Sequence, residues 1–134
     1  MKLIERDFYL DKLKNVIGTP DIKVITGVRR SGKSKLLEAF KRYVASDIPN
    51  ANVVHINFNL AEFKNLKDYH ALNDYIESRY VSSASNFVLI DEVQLCLNFE
   101  LTINSLHARE KYDIYLTGSN AFLLSSDLAT LFTG

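Results

Sequence analysis

The segment from residue 27 to residue 34 constrains this chain more than any other feature of its sequence. It reads Gly-Val-Arg-Arg-Ser-Gly-Lys-Ser, that is, a glycine, four further residues and then Gly-Lys-Ser. A short apolar run over residues 22–26 precedes it, and an amphipathic run begins near Lys33. A loop of this composition between a strand and a helix is the pattern of a phosphate-binding cradle. The pattern therefore predicts a nucleotide site.

Each residue type in this loop suits contact with a polyphosphate. Gly27 and Gly32 allow the sharp backbone turn that lets successive N–H groups converge on an anion at the positive end of the following helix. Lys33 is expected to reach the β- and γ-phosphates, and the Ser34 hydroxyl is expected to help hold Mg²⁺. The predicted binding residues are Gly27, Val28, Arg29, Arg30, Ser31, Gly32, Lys33, Ser34 and Lys35. For Arg29 and Arg30, phosphate contact, contact with a neighbouring subunit and a solvated position at the loop crest all stay open.

Apolar periodicity predicts strands that alternate with helices. Helical spacing is found over residues 4–17, 33–45, 68–80 and 95–106, whereas short apolar runs predict strands over residues 22–25, 53–58, 87–90 and 114–117. Residues 59–67 are expected to form a loop or short turn, and residues 121–132 one or two short helices. Such alternation implies parallel strands joined by right-handed crossovers, and hence a layered α/β domain.

Two acids, Asp91 and Glu92, directly follow the continuously apolar run over residues 87–90. Such a run is typical of a strand buried on both faces of a parallel sheet. A carboxylate at its end is well placed to face Mg²⁺, directly or through water, and Glu92 beside it suits a general base that polarises a water. Ligands of such sheets lie beyond the carboxyl ends of the strands, so these acids and the phosphate loop are expected at one rim.

Three neutral polar residues, Thr117, Ser119 and Asn120, stand at the end of the last predicted strand and just after it. Uncharged hydrogen-bonding groups suit the task of orienting a lytic water or contacting a γ-phosphate. We therefore name Ser119 and Asn120 as catalytic candidates beside Lys33 and Glu92. Gly-Ser-Asn is equally good turn and helix-cap chemistry, and the sequence leaves both interpretations open.

The composition is that of one globular domain with a core, since 47% of the 134 residues are hydrophobic and 24% are charged. Sixteen basic residues balance sixteen acidic ones, so no overall field indicates a nucleic acid or a membrane surface. The single cysteine, Cys96, cannot form an internal disulfide and is expected to be a buried thiol in a reducing cytoplasm. No signal-peptide core or membrane-length apolar run occurs. A cytoplasmic protein without a membrane partner is expected.

Taken together, these segments resemble a family of prokaryotic AAA-type ATPases among the P-loop NTPases. The matching pieces are residues 6–10, 25–34, 89–94, 116–126 and 131–134. The resemblance implies that Lys33 and Ser34 are Walker A residues, that Asp91 and Glu92 are Walker B residues, and that Ser119 or Asn120 fills the sensor position. It also implies a three-layer α/β P-loop NTPase fold with a mainly parallel sheet, and ATP and Mg²⁺ as cofactors.

The same resemblance implies that residues 1–134 are a single, partial ATPase domain. The family pattern continues past Gly134 with an arginine, a last sheet strand and a large C-terminal region. The sheet is therefore expected to be truncated before its last strand, which would leave the phosphate-loop strand as an open edge that self-associates or is loose. Without that arginine, hydrolysis by this chain is expected to be weak or absent.

Three functions stay open at this point. The first is an ATPase whose hydrolysis drives motion of a C-terminal region, and the acid at Glu92 favours it. The second is a nucleotide-dependent switch with incidental turnover that recruits a protein or a nucleic acid, with DNA as the nucleic-acid candidate. The third is a small-molecule or nucleotide kinase, although no arginine cluster suggests a lid. No base-reading residue distinguishes ATP from GTP; residues 6–9 are the candidate for the adenine side.

Overall fold

The computed structural model describes residues 3–26, 30–119 and 130–132, with side chains over residues 7–26 and 32–119. Helices and strands alternate along the chain. The helices are α1 (Leu3–Asn15), α2 (Arg30–Asp47), α3 (Tyr69–Ser78) and α4 (Phe99–Ala108), with 3₁₀ turns at Ala61–Leu66 and Val93–Leu95. The strands are β1 (Ile22–Ile25), β2 (Ala51–Asn57), β3 (Ser85–Asp91), β4 (Asp113–Thr117) and β5 (Thr130–Phe132).

The five described strands form one sheet in the order β2-β3-β4-β1-β5, and each described pairing is parallel. The predicted α/β fold with a parallel sheet is therefore confirmed. The strand that precedes the phosphate loop, β1, lies next to β4 as the family resemblance implies. Because parallel strands share one direction, β3, β4 and β1 all end at the same rim of the sheet.

The expectation that the sheet stops before its last strand is wrong. β5 pairs with β1, and Ile22 lies opposite Thr130 while Val24 lies opposite Phe132. The predicted open edge at β1 is thus covered along these residues, so self-association through that edge loses its basis. The prediction of short helices over residues 121–132 is wrong for its last three residues, because Thr130–Phe132 is a strand. Residues 121–129 lie outside the described residues.

Side chains from both faces of the sheet build two apolar clusters. Phe87 and Leu89 point to the side of α1 and α2, whereas Val88 and Ile90 point to the side of α3 and α4. This two-sided burial explains why β3 reads as an uninterrupted apolar run. The result is a three-layer domain. None of the described helices is long and apolar enough to cross a membrane.

Two helices differ from their predicted bounds. α2 begins at Arg30, three residues before the predicted start, so its first turn includes part of the phosphate-loop motif. The helix predicted over residues 95–106 is split, because the backbone N–H of Leu97 donates to Lys67 O at 2.9 Å and Leu97 bridges to Asp68. Leu95, predicted on the buried face, is therefore 42% exposed.

The thiol of Cys96, by contrast, is buried as predicted, with 1% of the residue exposed. Burial, with smaller contributions from the carboxylates of Asp68 and Glu100, raises the pKa of Cys96 to about 12. The thiol therefore stays protonated near neutral pH. It belongs to the apolar cluster on the α3 and α4 side of the sheet.

An ion pair joins β1 to β4 at the amino end of the sheet, opposite the rim of the acids. Lys23 is fully buried, and its Nζ donates to Asp113 Oδ1 and to Thr19 O, both at 2.6 Å. The other oxygen of Asp113 accepts from the backbone N–H of Gly18 and from the Tyr115 hydroxyl, both at 3.0 Å. Gly18 has φ +84°, which favours glycine. Burial and the nearby carboxylate raise the pKa of the Tyr115 phenol.

We expect Asp113→Ala to lower the free energy of unfolding by about 3–5 kcal/mol, because it leaves the buried Lys23 ammonium without its counter-charge. Adding Lys23→Met should recover part of that loss, since it removes the uncompensated charge. Urea unfolding at pH 7 measures both effects.

The control is Asp11→Ala in the exposed pair of Asp11 with Lys14, whose N···O distance is 3.9 Å. That variant should change stability by less than about 1 kcal/mol. A loss for Asp113→Ala no larger than that of Asp11→Ala would contradict this account of the buried pair.

Candidate functional site

The carboxyl ends of three neighbouring strands form the rim that carries the candidate site. β1 ends at Ile25, β4 at Thr117 and β3 at Asp91, and these strands are adjacent in the sheet. The next described residues of the chain are Thr26, Gly118 and Glu92, respectively. Groups that are far apart in sequence are therefore neighbours here.

Lys33 lies in the first turn of α2, and only 7% of the residue is exposed. Its Nζ donates to the backbone carbonyl of Gly118 at 2.6 Å, which connects α2 to the segment after β4. The first-turn N–H groups of a helix lack intrahelical acceptors and carry the positive end of the helix dipole. A buried cation and a helix N-terminus thus lie together at the rim, and both favour an anion.

One hydroxyl, that of Thr117, contacts both acidic residues. It is fully buried, donates to Asp91 Oδ1 at 2.5 Å, and accepts from the backbone N–H of Glu92 at 3.0 Å. The end of β4 is therefore tied to the end of β3 through the site itself. A hydrogen bond from a hydroxyl to a carboxylate is stronger than one between neutral groups, so it also orients the Asp91 side chain.

The second carboxylate oxygen of Asp91, Oδ2, is buried and has no hydrogen-bond partner within the part of the chain that the structure describes. Asp91 as a whole is 1% exposed. A buried polar atom without a partner is costly unless an ion or a water completes it. Oxygen is the ligand atom that Mg²⁺ prefers, so this orphaned oxygen fits a magnesium ion or one of its waters.

Glu92 has a left-handed backbone conformation, with φ 56° and ψ 52°. For a residue other than glycine this conformation costs about 1 kcal/mol or more, and such strain is concentrated at functional sites. The conformation starts the 3₁₀ turn Val93–Leu95. Its side chain accepts a hydrogen bond from Gln94 Nε2 at 2.7 Å, and the residue is 9% exposed. Glu92 is therefore held at both backbone and side chain.

The other predicted site residues fall into three groups. Gly32 is buried and Ser34 is half-buried beside Lys33, whereas Lys35 is exposed. The backbones of Arg30 and Ser31 belong to the first turn of α2, and Ser119 is exposed just beyond β4. Four predicted residues lie outside the described residues: Gly27, Val28, Arg29 and Asn120.

Sequence reasoning missed two groups of this rim and gave a third too small a part. Gln94 and the carbonyl of Gly118 were not predicted, although they contact Glu92 and Lys33. Thr117 was named only as a polar group that suits water or phosphate, not as the link between the two acids. The sole local signal was polarity close to Asp91-Glu92; the contacts themselves depend on the left-handed turn and on the neighbouring strand.

Two cavities lined by described residues lie away from this rim. One of about 520 Å³ is at the amino end of the sheet, beside Gly18 and Asp113, and another of about 460 Å³ lies beside β2 and is lined by Lys41 and His55. Burial, followed by the charge of Lys41, lowers the pKa of His55, which keeps this imidazole neutral near pH 7. Among the described residues, no group of three or more His, Cys, Asp or Glu could hold a metal ion.

A family model described as an AAA domain matches residues 19–134 of this chain. Two curated relatives share most of the chain, and each is described as an uncharacterized protein. One, from Haemophilus influenzae, is 40% identical over 134 residues that cover 98% of this chain and 34% of the relative. The other, from Methanocaldococcus jannaschii, is 28% identical and covers 99% of this chain and 28% of the relative. The chain spans about a third of the length of these relatives.

Among solved structures, domain III of the replication initiation protein DnaA from Thermotoga maritima is similar, with a TM-score of 0.52 and 22% sequence identity. The match covers 88% of this chain and 52% of that one. A likeness at this level of identity concerns the fold alone.

We expect Thr117→Val to lower the free energy of unfolding by about 3 kcal/mol, because the buried Asp91 carboxylate and the Glu92 N–H each lose a hydrogen-bond partner while the side-chain volume is kept. Thr117→Ser keeps the hydroxyl and loses one methyl group, so about 1 kcal/mol is expected. Urea unfolding without nucleotide measures both variants. Equal stability of the two, or a more stable valine variant, would contradict the linking role of the hydroxyl.

Proposed function

This chain belongs to the AAA domain family, and we propose that it binds Mg-ATP and hydrolyses it as the ATPase domain of a longer protein. Family membership supports a nucleotide-binding, ATPase-like domain at the coarser level. The observation that carries the finer proposal is the convergence of Lys33, Asp91 and Glu92 on one rim, with Thr117 bonded to both acids. The choice of ATP over GTP as the nucleotide rests on the family resemblance.

Lys33 and the first turn of α2 bind the polyphosphate. The ammonium already donates to the backbone carbonyl of Gly118. When nucleotide binds, a charged phosphate oxygen takes the place of this neutral acceptor. Both hydrogen bonds have a charged donor, but the phosphate oxygen also carries negative charge, so the exchange adds attraction between opposite charges in a buried site. The N–H groups of Ser31, Gly32 and Lys33 add donors at the helix N-terminus.

Asp91 and Ser34 would hold the magnesium ion. The orphaned Oδ2 of Asp91 and the hydroxyl of the half-buried Ser34 would supply oxygen atoms of the kind this ion takes. When bound, Mg²⁺ neutralises phosphate charge and supports the departure of the leaving group. Thr117 keeps the Asp91 carboxylate oriented for this task through the bond to Oδ1.

Glu92 takes the proton of the attacking water. Its carboxylate lies one residue beyond Asp91, and its backbone is bonded to Thr117, so the base is held at a set place relative to the metal-binding acid. With only 9% of the residue exposed, bulk water has little access to it. In phosphoryl transfer, a residue of this kind orients the attacking water and accepts its proton.

A nucleotide-dependent switch with incidental turnover is the second candidate function. The contact of Lys33 with Gly118 favours it, because nucleotide would draw Lys33 away from the segment that leads to Ser119. In this version the rearranged segment recruits a protein or DNA partner through the rest of the longer protein. Self-association and a cytoplasmic location also stay predictions.

We expect Mg-ATP to bind the wild-type chain in a calorimetric titration, and Lys33→Ala to weaken binding by about 30-fold or more, which corresponds to the loss of a charged hydrogen bond. A parallel titration with Mg-GTP tests the choice of base. Lys41→Ala is the control, since Lys41 is an exposed lysine of the same helix, farther along α2. Folded wild-type protein that binds neither nucleotide would overturn the proposal.

Glu92→Gln separates the ATPase from the switch. We expect its single-turnover hydrolysis rate, with protein in excess over radiolabelled ATP, to fall by about 10²–10⁴-fold, the usual worth of a general base. ATP affinity should stay within about twofold, because the amide keeps the size of the carboxylate and Lys33 is untouched. An unchanged rate would exclude Glu92 as the base and favour the switch.

A further inference from the structure

We propose that Gln94 is a positioning residue for Glu92, and that its side-chain amide holds one carboxylate oxygen of Glu92 so that the other receives the proton of the attacking water. This inference rests on the ATP hydrolysis proposed above. It concerns a residue that acts through the base and not on the phosphate.

The amide of Gln94 reaches Glu92 because of the local backbone. Glu92 is left-handed and begins the 3₁₀ turn, which brings the residue two positions later back over its side chain. Nε2 of Gln94 then donates to Glu92 Oε1 at 2.7 Å. Since an ionised carboxylate accepts hydrogen bonds and does not donate them, the nitrogen of the amide, and not its oxygen, must face it.

The turn does not need this side-chain contact for its own stability. Its backbone is closed by Leu95 N–H donating to Glu92 O at 3.1 Å and by Cys96 N–H donating to Val93 O at 3.0 Å. The amide therefore adds a restraint on the Glu92 side chain alone. Together with the bond from the Glu92 N–H to Thr117, it leaves the base little freedom to swing.

The oxygen atom of the Gln94 amide gives separate support for this role. Oε1 of Gln94 is buried and has no hydrogen-bond partner within the described ranges 3–26, 30–119 and 130–132. A buried carbonyl oxygen of this kind is normally bonded to protein or water. A water held by the Glu92 carboxylate would complete it, so the orphaned oxygen marks the place where the base meets its water.

In the step that Gln94 serves, the water oxygen forms a bond to the γ-phosphorus while a water proton passes to Glu92 Oε2. The bond between the γ-phosphorus and the β–γ bridging oxygen breaks, and its electron pair leaves with ADP. The proton then leaves Glu92 for the released phosphate, which regenerates the carboxylate. Gln94 is unchanged throughout.

Gln94→Met tests the role, because methionine has nearly the same length and volume but neither donor nor acceptor of comparable strength. We expect the single-turnover rate to fall by about 10–100-fold. This is the usual effect of removing a hydrogen-bond partner that orients a metal ligand, and Gln94 orients the base in the same way. ATP affinity should stay within about twofold. Leu95→Ala, an exposed position in the same turn, is the matched control and should keep the wild-type rate.

A double variant distinguishes positioning from a merely structural role. If Gln94 acts only through Glu92, then Glu92→Gln with Gln94→Met should hydrolyse no more slowly than Glu92→Gln alone. Additive losses would overturn the proposal. If Glu92→Gln itself keeps the wild-type rate, Glu92 is not the base and the proposed mechanism fails; if Glu92→Gln loses that rate and Gln94→Met does not, only the positioning role fails.

A spectroscopic readout is independent of turnover. Gln94 is the only glutamine of the chain, so ¹⁵N-labelled glutamine gives one side-chain amide group in an NMR spectrum of the nucleotide-free protein. We expect one of its two protons to exchange slowly with solvent, and Glu92→Leu to abolish that protection. Protection that is absent in wild type, or unchanged in Glu92→Leu, would overturn the contact on which the inference depends.

Discussion

The hydroxyl of Thr117 is the group on which the geometry of the rim depends. It is the point where β4 meets the two acids at the end of β3, and it bonds to the side chain of Asp91 and to the backbone of Glu92. Such a contact is available only because β3 and β4 are parallel neighbours in a register that pairs Ile90 with Leu116. A shift by one residue would turn Thr117 to the other face of the sheet and leave both acids without this partner.

A second register, that of β1 against β4, is secured at the opposite end of the sheet. Lys23 and Asp113 form a buried ion pair where β1 and β4 begin, and the backbone of Gly18 and the hydroxyl of Tyr115 complete the carboxylate. A buried charge without its partner is expensive, so alternative alignments of β1 against β4 are strongly disfavoured. The strand that leads into the phosphate loop is thereby aligned with the strand that carries Thr117. The stability of one end of the sheet and the chemistry of the other are thus connected.

At the rim, a few polar groups restrain one another through hydrogen bonds. Lys33 bonds to Gly118, Thr117 bonds to Asp91 and Glu92, and Gln94 bonds to Glu92. The buried side-chain atoms left without partners in the described part of this network are one oxygen of Asp91 and the amide oxygen of Gln94. Both are acceptors, and both lie on residues next to the proposed base. An ion and a water are the groups that would complete them, and this supports the hydrolysis that we propose.

The sequence alone determined the features that depend on local pattern: the alternation of strands and helices, the doubly buried β3, the acids at its end and the lysine at the start of α2. These follow from periodicity and from residue type, which a reader of the chain can see. Tertiary structure alone decided the pairing of β5 with β1, the split before α4 and the contacts of Thr117 and Gln94. A three-residue strand carries too little pattern to be recognised. Leu97 is not helical, because its N–H donates to the carbonyl of Lys67. The left-handed turn at Glu92 is supported by the Thr117 hydroxyl, 25 residues away. Each of these depends on a partner distant in sequence, and a distant partner leaves no mark on local periodicity.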